Sequence, residues 1–276
     1  MTPTQVVARA AEYLGRHGVD SPHQTAEALL AFLLRTDRAG LYARKEGLDT
    51  RTAKLYGRAL CQRCRGVPLQ YLTGEQQFLD LVLGVAPGVF VPRPETEVVV
   101  EVALQAIEAT PAPVVADVGT GTGAIALALK RRRPQATVHA TDLSPDAVAA
   151  ARANASRHAL DVDVHQGDLL DPLPTDLRGR LDLVVSNPPY VTEEEYRDLP
   201  EEVRAEPYLA LVGGTEVHVR LAAAAGDWLR PGGRLVVEIG AAQGTEVRDL
   251  MSEAGYTDLA VLPDLAGRDR IVRGIR

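Results

Sequence analysis

From Pro113 onward, short apolar runs alternate with stretches of helical periodicity, and this alternation restricts the chain more than any other feature. Strands are predicted at Val114–Val118, Thr137–Thr141, Val162–His165, Leu181–Val185, Arg234–Ile239, Leu259–Leu262 and Arg270–Arg273. Helices are predicted between them at Ala124–Arg132, Pro145–Ala155, Glu216–Leu229 and Thr245–Ala254, with Ser144 capping the second. Strands separated by helices join as parallel neighbours, and a parallel sheet is covered on both faces. The expected fold is α/β, with a seven-stranded, mostly parallel sheet. Pro263 to Asp269 is too short for a helical crossover, so one end strand must run antiparallel.

The front of the chain reads differently. Val6, Ala10, Tyr13 and Leu14 fall on one helical face, and Ala26, Leu29, Leu30 and Leu33 on that of the next helix. Ser21-Pro22-His23-Gln24 reads as a helix start, with Ser as N-cap, Pro at the first position and Gln at the third. A further helix is predicted from about Thr52 to Arg65, stopping at Gly66-Val67-Pro68. Residues 1–75 are therefore read as a small helical bundle. Residues 76–94, with Phe78 to Leu83 ahead of Gly84, predict a β-hairpin linker. Helical periodicity resumes at Glu95 to Ala109 and opens a third segment, 95–276.

Charge narrows the function classes. The net charge is −7, yet residues 1–76 hold 11 Lys and Arg against 7 Asp and Glu, a balance of +4 that leaves −11 for the remainder. An acidic body argues against a long nucleic-acid track, which needs clustered cations. The mildly basic front could steer an acidic protein partner, or could simply be a solvated helical surface. No apolar run approaches the length of a membrane span, and the N-terminus lacks a basic stretch followed by an apolar core, so the expected compartment is the cytoplasm. Cys61 and Cys64 stand in an arginine-rich helical stretch without a second ligand pair, so incidental placement fits better than a metal or redox site.

Asp117-Val118-Gly119-Thr120-Gly121-Thr122-Gly123 sits between the first strand of the sheet and its helix. Glycines there let the backbone turn sharply and let a ligand approach the helix N-terminus. Asp142, at the end of the second strand, is placed to accept from both ribose hydroxyls of a nucleoside ligand. Asp168, after the third, could accept from an exocyclic adenine amine while Leu169 packs on the ring. Each acid alone is more often a strand-end or cap residue; in this order they describe an adenosine pocket. The loop carries no Lys or Arg and is bordered by an acid, which serves a pyrophosphate poorly and tolerates a sulfonium and an ammonium. That favours S-adenosylmethionine over NAD or a nucleoside triphosphate.

Asn187-Pro188-Pro189-Tyr190 follows the mostly apolar run Leu181 to Val185. Prolines cannot donate a ladder hydrogen bond, so the chain leaves the sheet with stiffened, outward carbonyls. The Asn187 side-chain oxygen and the Pro188 carbonyl could grip both hydrogens of a planar NH2 group, with Tyr190 flat against whatever carries it.

With these pieces in place, the chain resembles the class I S-adenosylmethionine-dependent methyltransferases, a Rossmann-like fold. Within them it resembles the protein-(glutamine-N5) methyltransferase family, which modifies the Gly-Gly-Gln glutamine of peptide chain release factors. Matching segments are Pro68 to Gly74, Phe90-Val91-Pro92-Arg93-Pro94-Glu95-Thr96-Glu97, Asp117 to Gly123, Asn187 to Tyr190, and Ala266-Gly267-Arg268-Asp269-Arg270. The resemblance implies a cofactor held by Gly119, Thr120, Gly121, Thr122, Gly123, Asp142, Asp168, Leu169 and Asn187. It implies a substrate amide against Asn187, Pro188, Pro189 and Tyr190, with Asn187 and Pro188 as the catalytic pair and Phe90, Arg93 and Glu95 beside the pocket. It further implies a helical substrate-recognition domain and release factors as partners of a monomer, with no metal. Ala205 before Glu206-Pro207, and Gly213-Gly214-Thr215 without an Asp-Gly ending, depart from the family pattern. An adenine-N6 methyltransferase shares the tetrad but would need a basic groove or target-recognition domain; glutamine methylation of a ribosomal protein is another alternative. The intact tetrad argues against a non-catalytic nucleoside-binding module.

Overall fold

A computed structural model describes residues 1–276. They form two units, one of residues 1–75 with 199–205, the other of 76–198 with 206–276.

The first unit is helical: α1 (Pro3–Arg16), α2 (Pro22–Leu34), α3 (Arg38–Ala43), α4 (Thr50–Arg63) and α5 (Leu69–Thr73). Leu14, Leu29, Leu30, Leu41 and Tyr56 meet in its core, which excludes water from one face of each longer helix. Pro22 opens α2 as expected, but Ser21 lies in the left-handed region at φ 46° and its side chain makes no cap hydrogen bond. Helix α4 starts earlier than predicted because the Asp49 carboxylate accepts from the Thr52 N–H at 2.8 Å. Within this unit the short stretch 199–205 is tied down by an ion pair between Glu202 and the buried Arg63.

In the second unit, a hairpin of β1 (Glu75–Phe78) and β2 (Leu81–Gly84) buries Phe78, Leu81 and Leu83 in the same core as α6 (Thr96–Ala106). The sheet then builds from β3 (Val114–Val118), α7 (Ala124–Arg132), β4 (Thr137–Asp142), α8 (Pro145–His158), β5 (Asp163–Gln166) and β6 (Leu181–Ser186). Short helices α9 (Glu193–Asp198), α10 (Glu201–Arg204, in the first unit) and α11 (Tyr208–Leu211) precede α12 (Glu216–Trp228). The chain closes with β7 (Leu229–Glu238), α13 (Gly244–Glu253), β8 (Thr257–Pro263) and β9 (Asp269–Ile275).

The seven strands run in the order β5-β4-β3-β6-β7-β9-β8. The five from β5 to β7 are mutually parallel, and β9 is antiparallel to both β7 and β8. The antiparallel strand is thus one place in from the edge, with β8 outermost. Alternation along each strand separates two cores. Val115, Leu183, Val185 and Val236 face α6, α7 and α8; Ala116, Val184, Leu235 and Val237 face α12 and α13. Strand β7 begins at Leu229, ahead of its predicted start, because the register shift opposite Leu181 and Leu183 absorbs Pro231-Gly232-Gly233. No helix is long and apolar enough to cross a membrane.

Candidate active site

A cavity of about 620 Å³ opens beyond the carboxyl ends of β3, β4, β5 and β6, the place where open parallel sheets take ligands. Gly119, Thr120, Gly121, Thr122, Asp142, Asp168, Leu169, Asn187, Pro188 and Pro189 all line it. Gly123 and Tyr190 do not. Phe90, Thr96 and the 207–210 segment supply further wall, and an adjoining recess of about 480 Å³ shares Tyr208 and Val212 with it.

The glycine loop owes its shape to three positive φ angles, 70° at Gly119, 56° at Gly121 and 85° at Gly123. A Cβ on Gly119 or Gly121 would meet nothing within 4 Å, so the loop presents bare backbone to open space. Gly123 serves helix packing instead. A Cβ there would lie 3.1 Å from Leu127 and 3.4 Å from Ala151, so its bareness lets α7 pack against α8. The Gly119 and Thr120 N–H groups both donate to the Thr141 carbonyl, at 2.9 and 3.0 Å.

Two carboxylates hold this loop. Asp142 accepts from the Gly121 N–H at 2.8 Å and from the Ser144 N–H at 2.9 Å, one through each oxygen. Burial raises its pKa, against the pull of those N–H groups. Each oxygen keeps a second lone pair, so the carboxylate can accept further donors from the cavity. Asp117 is fully buried, and its Oδ2 accepts from Thr120 Oγ1 at 2.6 Å and from the Ala126 N–H at 3.0 Å. Its Oδ1 is buried without a partner, and burial pushes the carboxyl up to about 7. Asp168 is paired through Oδ2 with Arg220, the one cation lining the cavity and absent from the sequence-based set. Leu169 turns at φ 46° while its carbonyl accepts from Thr141 Oγ1 at 2.7 Å.

The cavity suits an adenosyl sulfonium ligand. Backbone rather than cations faces it from the loop, an acceptor stands at the end of β4, and its only cation is already neutralised. Its volume lies in the range usual for small-molecule sites.

At the end of β6, the tetrad is supported from behind by residues that sequence reasoning missed. Asn187 Nδ2 donates to Thr96 Oγ1 at 3.0 Å, and Thr96 donates on to Glu238 Oε2 at 2.7 Å. The Tyr190 hydroxyl donates to Glu238 Oε1 at 3.4 Å and accepts from Arg270 at 3.3 Å. Tyr190 thus turns into this cluster and stands outside the cavity lining, and burial raises its phenol to about 12. Glu238 is 1% exposed and burial pushes it up to about 7, with Thr96 and Arg270 pulling it down.

The Phe90–Glu95 segment, expected beside the pocket, meets it at its Phe90 end. Phe90 lines the cavity, while Arg93 stacks over its ring at 5.0 Å and pairs with the buried Glu206. Glu206 also accepts from the Val91 N–H at 2.9 Å. Glu95 is outside the cavity lining and pairs with Arg268 at 3.5 Å. The Gly213-Gly214 doublet has its own reason: a Cβ on Gly213 would fall 2.4 Å from the Pro189 carbonyl oxygen. His165 stands outside the cavity lining, its ring 5.7 Å from that of His139. The signal that could have flagged Thr96 and Arg270 is their place in the Pro-Arg-Pro-Glu-Thr-Glu and Gly-Arg-Asp-Arg runs.

Comparison with known proteins agrees with this architecture. A family model described as the methyltransferase small domain matches residues 81–205, and one described as the PrmC N-terminal domain matches residues 5–74. The release factor glutamine methyltransferase of Moorella thermoacetica is 44% identical, covering 98% of this chain and 97% of that protein. That of Streptomyces coelicolor is 42% identical, covering 96% and 94%. Among solved structures, the Thermus thermophilus 16S rRNA N2 G1207 methyltransferase in complex with AdoMet and guanosine has a TM-score of 0.53 at 20% identity, covering 73% of this chain and 49% of that one. At that identity the likeness bears on the fold, a class I methyltransferase sheet. Its relatives run nearly end to end with it at such identity that the chain belongs to the release factor glutamine methyltransferase family.

Proposed function

We propose that this chain transfers a methyl group from S-adenosylmethionine to the side-chain amide nitrogen, N5, of the Gly-Gly-Gln glutamine in peptide chain release factors. What carries the reading is the meeting of Asn187 and Pro188 with the glycine loop and Asp142 around one cavity, in a chain of this family. Gly119 to Thr122 and Asp142 would hold the cofactor, with Asp168 and Leu169 at its base-binding end. Bound there, S-adenosylmethionine supplies an electrophilic methyl group.

The residues of the chain do the rest. An amide nitrogen is a poor nucleophile because its lone pair is delocalised into the carbonyl. Asn187 Oδ1 and the Pro188 carbonyl accept its two hydrogens, fix the plane of the NH2 group, and favour positive charge building on nitrogen. The gain is positional and electrostatic. No strong base is required, since the nitrogen becomes acidic only as the new bond forms. Phe90 and Pro189 give the amide apolar walls that exclude water. The helical unit is the candidate for recognising the body of the release factor, in the cytoplasm, with the enzyme acting as a monomer. Incubation with S-adenosylmethionine and a release factor, followed by peptide mass spectrometry, should find one added methyl on that glutamine. A methyl elsewhere, or none, overturns the reading.

A further inference from the structure

An asparagine side chain has two ends of nearly the same shape, and only the oxygen can accept from an amide substrate. Something must decide which end of Asn187 faces the cavity. We propose that Glu238, acting through the Thr96 hydroxyl, sets this orientation, which makes Thr96 and Glu238 positioning residues for methyl transfer. The inference rests on the reading of Asn187 as the acceptor for the substrate NH2.

With Glu238 ionised, the chain of donors and acceptors has one direction only. An ionised carboxylate accepts and never donates. Glu238 Oε2 therefore takes the single hydroxyl hydrogen of Thr96, at 2.7 Å. The Thr96 oxygen is left with lone pairs alone, and its other neighbour must be a donor. Asn187 Nδ2 meets it at 3.0 Å. Turned over, the amide would set Oδ1 against Thr96 Oγ1, two acceptors with no hydrogen between them, at a residue that is 3% exposed. Polarity thus runs outward from the carboxylate, and Oδ1 of Asn187 is the end left for the cavity.

Thr96, Arg270 and Tyr190 oppose the effect of burial and favour the ionised, accepting form of Glu238. The Tyr190 hydroxyl donates to Oε1, so neither carboxylate oxygen is left unpartnered. Arg270, 8% exposed, donates to the Tyr190 hydroxyl and to the Ile239 carbonyl, which stations a cation beside the carboxylate. Both polar side chains of the tetrad therefore end on one buried group, Asn187 through Thr96 and Tyr190 directly.

The test compares Thr96→Val, Thr96→Ser and Glu238→Gln with wild type, measuring kcat and KM for a release factor and, by calorimetry, the Kd for S-adenosylmethionine. Thr96→Val keeps the volume and removes the hydroxyl; it should lower kcat by about tenfold or more while KM and Kd stay within about threefold. Thr96→Ser should restore kcat to within about threefold of wild type. Glu238→Gln can donate to Thr96 as well as accept, so the direction is no longer forced and kcat should fall by about threefold or more. The proposal is overturned if Thr96→Val keeps kcat within about twofold, if Ser does no better than Val, or if Kd rises in step with the loss of kcat. Should Thr96→Val fail to fold, an unchanged kcat in Glu238→Gln overturns it equally. Wild type run alongside separates the two ideas: an inactive wild type sinks the functional reading, an active one with indifferent variants sinks the relay alone.

Discussion

Asn154 and Gly84 exchange two hydrogen bonds, 2.7 Å from the Gly84 N–H to Asn154 Oδ1 and 3.0 Å from Asn154 Nδ2 to the Gly84 carbonyl. The same Nδ2 donates to the Thr122 carbonyl at 2.9 Å. One buried amide on α8 thereby ties the hairpin to the glycine loop. Asn154→Ala would strand three backbone groups and should cost about 1–3 kcal/mol of stability. Because Thr122 loses its anchor, affinity for S-adenosylmethionine should weaken as well. Thermal melts and calorimetry would show both; an unchanged midpoint and an unchanged Kd would leave Asn154 without this role.

Asn187→Ala removes one of the two proposed acceptors for the substrate amide. Turnover should drop by about a hundredfold, the scale seen on losing one preorganised donor or acceptor at a reacting centre. The Kd for S-adenosylmethionine should move much less, since the glycine loop and Asp142 keep their places. Methylation at the wild-type rate would remove the proposed mechanism.

For Asp142→Asn the pattern reverses. The amide keeps the shape but sets an NH2 against either the Gly121 or the Ser144 N–H, where the carboxylate now accepts from both. Cofactor affinity should weaken by about tenfold or more, equivalent to about 1.4 kcal/mol. Turnover at saturating cofactor should stay near wild type. Isothermal titration with a parallel rate measurement distinguishes this from a general loss of folding.

Protonation of the buried acids gives a fourth expectation. Glu238 ordinarily titrates near 4.5 but is held at about 7 in the fold, so between those values the folded chain binds more protons than the unfolded one. Its contribution is therefore complete below about 4.5 and is lost as pH rises through about 7. Asp117, raised to about 7 by burial, acts in the same sense. His139 and His218, whose pKa values burial lowers from 6.5, act in the opposite sense, so the comparison must be between variants at matched pH. Facing Glu238 are Thr96 and Glu95 from the start of α6, Tyr190 after β6 and Arg270 from β9, while His218 on α12 contacts its main-chain carbonyl. Denaturant midpoints of wild type and Glu238→Gln, taken at pH 5 and pH 8, should show the variant gaining relative to wild type at the higher pH. Parallel behaviour across that range would contradict the buried-charge assignment.

The spans expected for β3 and α7 coincide with those observed because Pro113 precedes the first, the Gly119 to Gly123 turn separates the two, and Pro134 follows the second. Helix α3 and the short helices α9, α10 and α11 were not legible: each is six residues or fewer, too short to show an apolar period. Ser21 has the right residue type and neighbours for a cap, yet the chain enters α2 through a left-handed turn that no pattern announces. In the site, the glycines and acids could be read because each follows its strand at once. The support behind Asn187 could not, since Thr96 lies 91 positions from Asn187 and 142 from Glu238, and nothing local in the sequence links them.

The placement of β9 between β7 and β8 has a temporal consequence. During synthesis the strand that fills this slot is made last, and it carries Arg270, the cation beside the tetrad's carboxylate. A growing polypeptide halted before residue 269 would hold the glycine turn and its two acids, yet the sheet would stay open next to β7 and Tyr190 would lack its guanidinium neighbour. The acceptor side is thus complete only with β9, while every residue named for the cofactor side precedes that strand.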